Sequence, residues 1–435
     1  MSVKFACLAL GLTLSALLVS AFERQEAKAL TSWRENDTSA LNIDAYPTDM
    51  AGLITPYGYP MESHAVVTKD GYVLGVFRIP RSPVTGAPRR GPVLLQHGLL
   101  DSSASWVVNG PKQSLAFRLA DAGWDVWLSN SRGNGYSRNH TTLSPAEGPY
   151  WNFSWDEMAM YDLPAVVSHV LDRSSVSEGK RKTLAYVGHS QGTTILLAAL
   201  ASQPRLRASF SSAALMAPVF PLAHMSSLPL GALSRMHADQ IFDMLGVFEF
   251  SPANNMTSVL FERVCEMYPS ACVSALTAFV GFNVANVPGL ELARHVRNAP
   301  SGTSVRNLAH WAQMVRVSRA RGDGLEARYD FGTRCRGAFG GARDCNQRTY
   351  GSEQAPLYRL AALAADPARP SPPLAIFQGG EDILSDVEDV DSLLRSLPDG
   401  LVRLRRMLPS YAHIDFVWGQ YAAKDIYEPL IEFLH

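Results

Sequence analysis

The period of apolar and polar residues changes repeatedly along the chain. Two β-rich runs, 62–68 and 72–79, flank a Lys69-Asp70-Gly71 turn, which predicts an antiparallel hairpin. From Pro92 onward, short apolar runs typical of buried strands alternate with longer runs of helical period. The predicted strands lie at 93–95, 125–128, 183–187, 212–216, 373–377 and 401–404, and the predicted helices lie at 114–122, 155–171 and 193–202.

This alternation predicts an α/β fold. A strand, a helix and a strand in succession join into a mostly parallel sheet that is covered by helices on both faces. The alternation stops between 218 and 369, a stretch far longer than the roughly twelve residues that one crossover needs. We interpret 218–369 as an inserted, mainly helical cap over the carboxyl edge of the sheet, where ligands bind in such folds. The core then comprises 22–217 and 370–435.

The first 21 residues have the features of a signal peptide. Lys4 precedes an apolar run at 5–21, and the small residues at 19–21 offer a cleavage site after Ala21. An uncleaved signal anchor is the alternative, although 17 residues is at the short limit for crossing a bilayer. Both interpretations place the protein in the secretory pathway, and the anchor would tether it to a membrane.

The four cysteines that remain after cleavage favour disulfides over a metal site. They enter an oxidising compartment, and their spacing lacks the short Cys-x-x-Cys ligand pair of zinc sites. Four cysteines allow three pairings, and the pairing between sequence neighbours joins Cys265 to Cys272 and Cys335 to Cys345. Four sequons for N-glycosylation fit the same compartment, at Asn36, Asn139, Asn152 and Asn255.

Composition and charge exclude several classes of function. The 435 residues include 39 Lys and Arg and 40 Asp and Glu, which gives a net charge of −1. A nucleic-acid-binding protein that neutralises phosphates is therefore not expected. With 47% apolar and 18% charged residues, the chain has the composition of a packed globule. No feature of the sequence indicates an obligate protein partner.

The strongest chemical signal is the pentapeptide Gly188-His189-Ser190-Gln191-Gly192. A Gly-x-Ser-x-Gly match alone is modest evidence, but this one lies between a predicted strand and a predicted helix. A serine on such a strand-to-helix turn lies at the edge of the sheet, and the helix N-terminus favours a developing oxyanion. We predict that Ser190 is a nucleophile.

A serine nucleophile needs a base to accept its proton and an acid to orient that base, but no cofactor. In this type of turn both partners follow the serine, the acid first. The turn Gly379-Gly380-Glu381-Asp382 follows predicted strand 373–377, and His413 lies in a loop before the terminal helix. We predict Asp382 as the acid and His413 as the base. Asp386 is the competing acid, and we expect it and Asp389 to lie on a solvated helix face.

The oxyanion of an acyl-transfer reaction needs two N–H donors, one of them from the residue after the nucleophile. The second should come from the loop after strand 93–95, where the sequence is Gln96-His97-Gly98-Leu99-Leu100. We assign the N–H groups of Leu99 and Gln191. His97 is then a turn residue and not a base, and Asp415 is too close to His413 along the chain to reach its imidazole easily.

Long stretches of the sequence resemble the acid lipase family of animal gastric and lysosomal lipases, which has the α/β-hydrolase fold. The resemblance extends over almost the whole mature chain. The segments that carry it are GYP from Gly58, VVTKDGYVLGVFRIP from Val66, LQHGLLDSSASW from Leu95, LADAGWDVWLSNSRGN from Leu119, WDEMAMYDLPA from Trp155, YVGHSQGTT from Tyr186, GTSVRNLAHW from Gly302 and HIDFVWG from His413.

The resemblance implies a serine esterase that hydrolyses neutral lipid esters, triacylglycerol or cholesteryl ester, at a lipid–water interface and at acidic pH. It places the family's nucleophile, acid, base and oxyanion donors on the five residues assigned above, and its lid-bearing cap on 218–369. It also implies a disulfide between Cys265 and Cys272, and secretion or delivery to the lysosomal lumen. The loop between Cys335 and Cys345 departs from the family's pattern.

Two other functions stay open at this point. A soluble carboxylesterase without interfacial activity would differ from a lipase in its response to tributyrin above the solubility limit. A non-catalytic lipid-binding protein on the same fold would carry a broken triad, whereas all three predicted residues are in place.

Overall fold

The structure, a computed structural model, describes most of the chain. The residues described are 47–84, 90–174, 182–235, 247–250, 265, 267–283, 285–287, 289–321, 326–332, 335–336, 342–343, 345–364 and 370–435. The predicted signal peptide at 1–21 and the sequons at Asn36 and Asn255 lie outside these residues.

A sheet of nine strands forms the centre of the described structure. Its strands are β1 Glu62–Val67, β2 Tyr72–Ile79, β3 Pro92–Gln96, β4 Asp125–Ser129, β5 Asn139–His140, β6 Leu184–His189, β7 Phe210–Met216, β14 Leu374–Gly379 and β15 Val402–Leu408. The order across the sheet is β1-β2-β4-β3-β6-β7-β14-β15, and β5 pairs with β2. The neighbouring strands β4, β3, β6, β7, β14 and β15 are parallel. At one edge, β2 is antiparallel to β4 and β5 and forms an antiparallel hairpin with β1. The predicted hairpin and α/β class are confirmed.

Shorter strands and the helices complete the fold. The short strands are β8 Glu249–Phe250, β9 Thr303–Ser304, β10 Glu326–Ala327, β11 Cys335–Arg336, β12 Ala342–Arg343 and β13 Leu357–Tyr358. The helices are α1 Met50–Ile54, α2 Gly110–Gln113, α3 Leu115–Asp121, α4 Trp155–Glu157, α5 Leu163–Arg173, α6 Gln191–Ser202, α7 Pro204–Arg207, α8 Leu228–Arg235, α9 Pro269–Val280, α10 Gly289–Asn298, α11 Val305–Arg321, α12 Cys345–Tyr350, α13 Val387–Ser396, α14 Asp415–Trp418 and α15 Glu428–Leu434. Among the described residues, no helix combines the length and the apolar character needed to cross a bilayer.

The central strands are buried on both faces. Val93 and Leu95 of β3 belong to one hydrophobic cluster together with α3 and α15, whereas Leu94 belongs to a second cluster with α5, α6 and α13. Successive side chains of a strand point to opposite faces, so a strand that is covered on both sides needs apolar residues throughout. This arrangement explains why the sequence shows continuous apolar runs in these strands.

The helix predicted at 155–171 is interrupted. Met158–Asp162 form a wider π-helical turn between α4 and α5. Pro164 follows at the second position of α5, and a proline in a regular helix lacks the N–H group and clashes with the preceding turn. A single wide turn accommodates such a residue without ending the helix.

The segment predicted as a cap is mostly helical where it is described. It contains α8 to α12 and three short ladders, β8 with β9, β10 with β13, and β11 with β12. A disulfide joins Cys265 to Cys272. Cys345 is also disulfide-bonded, but the side chain of Cys335 lies outside the described residues, so that its pairing stays a prediction.

Glu326 in β10 carries a fully buried carboxyl group that accepts no hydrogen bond within the described part of the chain. Burial disfavours the charged carboxylate, and the Asp389 carboxylate adds a like charge. Together they raise the pKa of Glu326 from 4.5 to about 8. A carboxyl group whose pKa rises on folding favours the folded state at low pH. This advantage is lost as the pH increases from about 4.5 to about 8.

We expect Glu326→Gln to stabilise the protein in a pH-dependent way, because glutamine is uncharged in both the folded and the unfolded state. The free energy of unfolding should rise by on the order of 3 kcal/mol at pH 7 and stay nearly unchanged at pH 4.5. Urea unfolding at the two pH values measures the difference. Glu353→Gln, at an exposed glutamate, is the matched control, and an equal effect of Glu326→Gln at both pH values would contradict the assignment.

Candidate active site

Ser190 alone forms the turn between β6 and α6. Its backbone lies at φ 52° and ψ −123°, a region that residues with a side chain rarely adopt. Its N–H group donates to the carbonyl oxygen of Met216 at 3.0 Å, which fixes the turn to neighbouring strand β7. The turn is much tighter than predicted: the strand extends to His189 and the helix begins at Gln191, because interstrand pairing overrides the local preference of glycine for irregular structure.

Two glycines allow the chain to approach this turn closely. A Cβ atom on Gly192 would lie 2.4 Å from the carbonyl oxygen of Gln96, so α6 starts directly against β3. A Cβ atom on Gly98 would lie 3.0 Å from the Cβ atom of Ser190. The loop after β3, which contains Leu99, therefore lies beside the serine.

The three predicted triad residues come together in one chain of hydrogen bonds. His413 Nε2 lies 2.7 Å from Ser190 Oγ, and His413 Nδ1 lies 2.8 Å and 3.0 Å from the two carboxylate oxygens of Asp382. All three side chains are buried. A histidine that donates from Nδ1 to a carboxylate has its Nε2 lone pair free to accept the serine proton.

Backbone groups fix the carboxylate of Asp382. Its Oδ1 accepts hydrogen bonds from the N–H groups of Leu384 at 2.9 Å and Ser385 at 2.7 Å. The hydroxyl of Ser385 in turn donates to the carbonyl oxygen of Pro218 at 2.6 Å. The carboxylate is therefore oriented before any substrate arrives.

The competing carboxylates have other partners. Asp386 is the N-cap of α13 and accepts from the N–H group of Glu388 at 2.9 Å. Asp389 is buried and accepts from the N–H groups of Ala223 and His224 and from His224 Nδ1, at 2.9 to 3.0 Å. The expectation that Asp389 is solvated is wrong, because the start of the 218–369 segment covers this face of α13 and needs an acceptor there.

Asp415 connects the histidine loop to the 218–369 segment. Its carboxylate accepts from the N–H group of Ala412 at 2.9 Å, from the N–H group of Asn283 at 3.2 Å and from Asn286 Nδ2 at 2.9 Å. Burial raises the pKa of Asp415 to about 6. These contacts leave Asp382 as the carboxylate on His413.

His97 has a structural role. Its Nδ1 donates to the carbonyl oxygen of Gly98 at 2.7 Å, and its Nε2 accepts from the N–H group of Ser131 at 3.0 Å and from Asn134 Nδ2 at 3.2 Å. Burial lowers the pKa of His97 to about 4, which keeps the ring neutral at higher pH. The ring thereby stabilises the loop that contains Leu99.

Sequence reasoning missed the role of His189. Its Nε2 lies 3.0 Å from the carbonyl oxygen of His413, to which it donates, and the two rings are 5.2 Å apart. Burial lowers the pKa of His189 to about 3, so the ring is neutral. It connects the turn at Ser190 to the loop that contains His413. The position of His189 directly before Ser190 is the one sign in the sequence that could have indicated this role.

The structure also places two of the predicted glycosylation sites. Asn139 in β5 and Asn152 are exposed, and Asn152 Oδ1 accepts from an Arg306 guanidinium nitrogen at 2.9 Å. Within the described ranges, no group of three or more His, Cys, Asp or Glu side chains is arranged to hold a metal ion.

Comparison with known proteins yields two matching family models. The model described as a partial alpha/beta-hydrolase lipase region matches residues 50–110, and the model described as the alpha/beta hydrolase fold matches residues 91–420.

Curated relatives match over most of their length. Lipase member K of Mus musculus and gastric triacylglycerol lipase of Homo sapiens are each 36% identical over 392 residues, which is 89% of this chain and 90% of the relative. Lysosomal acid lipase/cholesteryl ester hydrolase of Homo sapiens is 34% identical over 391 residues, again 89% of this chain and 90% of the relative.

The geometry predicts which carboxylate orients the histidine. Asp382→Asn should lower kcat by roughly 10⁴, because an amide at this position favours the wrong imidazole tautomer, and KM should change little. Asp386→Asn is the matched control and should cost less than about tenfold, since asparagine is an equally good N-cap. Steady-state kinetics on a soluble p-nitrophenyl ester measure both. The reverse ranking would move the acid to Asp386.

Proposed function

Since the chain belongs to the acid lipase family on the α/β-hydrolase fold, we propose that it hydrolyses triacylglycerol or cholesteryl ester with Ser190 as its nucleophile. The observation that carries this proposal is the unbroken hydrogen-bond chain from Ser190 through His413 to Asp382. A non-catalytic lipid-binding protein has no need of such a chain or of a serine with a strained backbone. The relatives named above support the class of substrate, since two of them are named for triacylglycerol and cholesteryl ester.

The first half of the reaction forms an acyl-enzyme. Ser190 Oγ attacks the ester carbonyl carbon while its proton passes to His413 Nε2, which lies 2.7 Å away. The carbonyl oxygen becomes an oxyanion, which the N–H groups of Leu99 and Gln191 stabilise. When this intermediate collapses, the bond to the alcohol oxygen breaks and His413 returns the proton to the departing alcohol. The acyl group stays on Ser190.

Water completes the reaction by the same steps. The oxygen of a water molecule attacks the acyl carbon while one of its protons passes to His413 Nε2. The proton then passes from His413 to Ser190 Oγ as the bond between Oγ and the acyl carbon breaks and the fatty acid leaves. Asp382 stabilises the imidazolium form of His413 in both halves. Apart from the substrate and this water molecule, the steps use only side chains and backbone of the chain itself.

The proposed organisation and location follow the sequence. We assign a signal peptide to 1–21, core parts to 22–217 and 370–435, and a lid-bearing cap to 218–369. The protein is then secreted or lysosomal, glycosylated at its exposed sequons, and bridged between Cys335 and Cys345. Activity at acidic pH requires a fold that is stable in acid, and the buried carboxyl groups of Asp101, Asp156 and Glu326 support this, because their pKa values of about 6, 6 and 8 leave them neutral there.

The proposed chemistry predicts the behaviour of a fluorophosphonate probe, which reacts with activated serines. The native protein should be labelled and should hydrolyse triolein or cholesteryl oleate, whereas Ser190→Ala should lose both labelling and hydrolysis. Ser352→Ala, at an exposed serine, is the matched control and should behave as the native protein does. Equal labelling of native protein and Ser190→Ala would refute the nucleophile.

The exposed apolar side chains of the 218–369 segment predict that hydrolytic activity increases at a lipid surface. The segment's large apolar side chains are exposed at Leu228, Met267, Tyr268 and Phe279, a feature typical of surfaces that bind lipid or protein. A cover over the acyl site must also open for entry. Activity on tributyrin should therefore rise severalfold when the substrate exceeds its solubility limit. Simple saturation through that limit would favour the soluble carboxylesterase instead.

A further inference from the structure

One stretch of the 218–369 segment contacts both loops of the proposed oxyanion hole. The stretch runs from Ser301 to Trp311 and includes β9 and the start of α11, and we call it the oxyanion brace. At its first residue, the N–H group of Ser301 donates to the carbonyl oxygen of Leu100 at 2.7 Å. Leu100 has a φ of 59°, and it directly follows Leu99. The brace therefore secures a strained backbone next to one proposed donor.

The other end of the brace holds the side chain of Gln191. The Gln191 Oε1 atom accepts two hydrogen bonds, from Asn307 Nδ2 at 2.9 Å and from the indole Nε1 of Trp311 at 2.7 Å. Gln191 is 2% exposed and Asn307 is 0% exposed, so the accepting oxygen is shielded from water. The second proposed donor is thus anchored through its own side chain.

The brace is itself rigid at this point. Ser304 Oγ donates to the carbonyl oxygen of Phe153 in the core at 2.5 Å and accepts from the N–H group of Asn307 at 2.9 Å. Asn307 Nδ2 makes a further bond to Thr303 Oγ1 at 3.1 Å. The Asn307 amide is therefore fixed relative to the core before it meets Gln191.

We propose that Asn307 and Trp311 are positioning residues for the oxyanion hole. By holding the Gln191 side chain, they fix the first peptide group of α6 and so the direction of its N–H bond. This inference rests on the proposed function. It gives the 218–369 segment a part in the chemical step, in addition to any role as a cover.

The hydrogen bond from Trp311 Nε1 to Gln191 Oε1 is the first to test, because the chain offers a matched control for its removal. Trp155 is fully buried and lies beside the partly buried Trp311, with ring centroids 5.8 Å apart, but its Nε1 has no hydrogen-bond partner among the described residues. Trp311→Phe and Trp155→Phe make the same change in volume and both delete an indole N–H group. Only Trp311→Phe removes a bond to Gln191.

We expect Trp311→Phe to lower kcat on p-nitrophenyl butyrate by about tenfold with KM within about twofold. Deleting an oxyanion donor outright costs about 10² to 10³, and a misdirected donor should cost less. Trp155→Phe should keep the native kcat. Both variants are expected to lose some thermal stability, so a difference between them in kcat reports on the bond to Gln191.

An alkyl trifluoromethyl ketone supplies a readout that packing alone would not change. Ser190 Oγ adds to its carbonyl carbon, the serine proton passes to His413, and the carbonyl oxygen becomes an oxyanion in the hole. Its inhibition constant should rise by about the same tenfold factor in Trp311→Phe and stay at the native value in Trp155→Phe. An inhibition constant that does not follow kcat would overturn the proposal.

A double-mutant cycle completes the test. Gln191→Met removes the acceptor of both bonds without touching α11, so it should lower kcat at least as much as Trp311→Phe does, and adding Trp311→Phe should cause no further loss. Multiplicative losses would overturn the proposal, as would a native kcat in either single variant. If Ser190→Ala keeps its activity, both the proposed function and this inference are overturned. If Ser190→Ala is inactive but Trp311→Phe is fully active, only this inference is overturned.

Discussion

The left-handed backbone of Ser190 is the constraint on which the rest of the site depends. Such a conformation is unfavourable by roughly 1–3 kcal/mol and persists only where its surroundings determine it. Here the carbonyl oxygen of Met216 accepts the Ser190 N–H group, and the lack of a side chain at Gly192 lets α6 contact β3. The sheet that provides these contacts is packed on both faces, which makes it a rigid support for a strained turn.

Parallel strands bring the other two triad residues to the same edge of the sheet. Ser190 follows β6, Asp382 follows β14 and His413 follows β15. In the sheet, β14 and β15 are neighbours, and β7 lies between β6 and β14. Two further contacts connect the loops: His189 bonds to the carbonyl oxygen of His413, and Asp415 bonds to Asn283 in the 218–369 segment. Ser190, His413 and the 218–369 segment therefore belong to one network of hydrogen bonds.

The sequence predicts those parts of the site that follow from chain order and local pattern. Apolar runs of strand and helix length predict the sheet, and the order serine, acid, histidine along the chain points to Asp382 and His413 without any knowledge of contacts. The burial of Asp389 and the bonds of His189 and Gln191 could not be predicted in this way. Each of these depends on which distant segment packs against the residue; for example, the N–H group of Ala223 donates to the Asp389 carboxylate. The residues around Asp389 in the sequence carry no sign of such a distant partner.

The bonds from Ser301 to Leu100 and from Trp311 to Gln191 bear on how this family can diversify and be engineered. Exchanging the insertion between relatives is an attractive way to alter the choice of lipid, because the insertion looks like a module that can be grafted onto a constant core. A graft with its junctions at 218 and 369 would also exchange the oxyanion brace and so disturb the proposed oxyanion hole. Junctions that leave 301–311 with the recipient would separate the selection of the substrate from the chemistry performed on it.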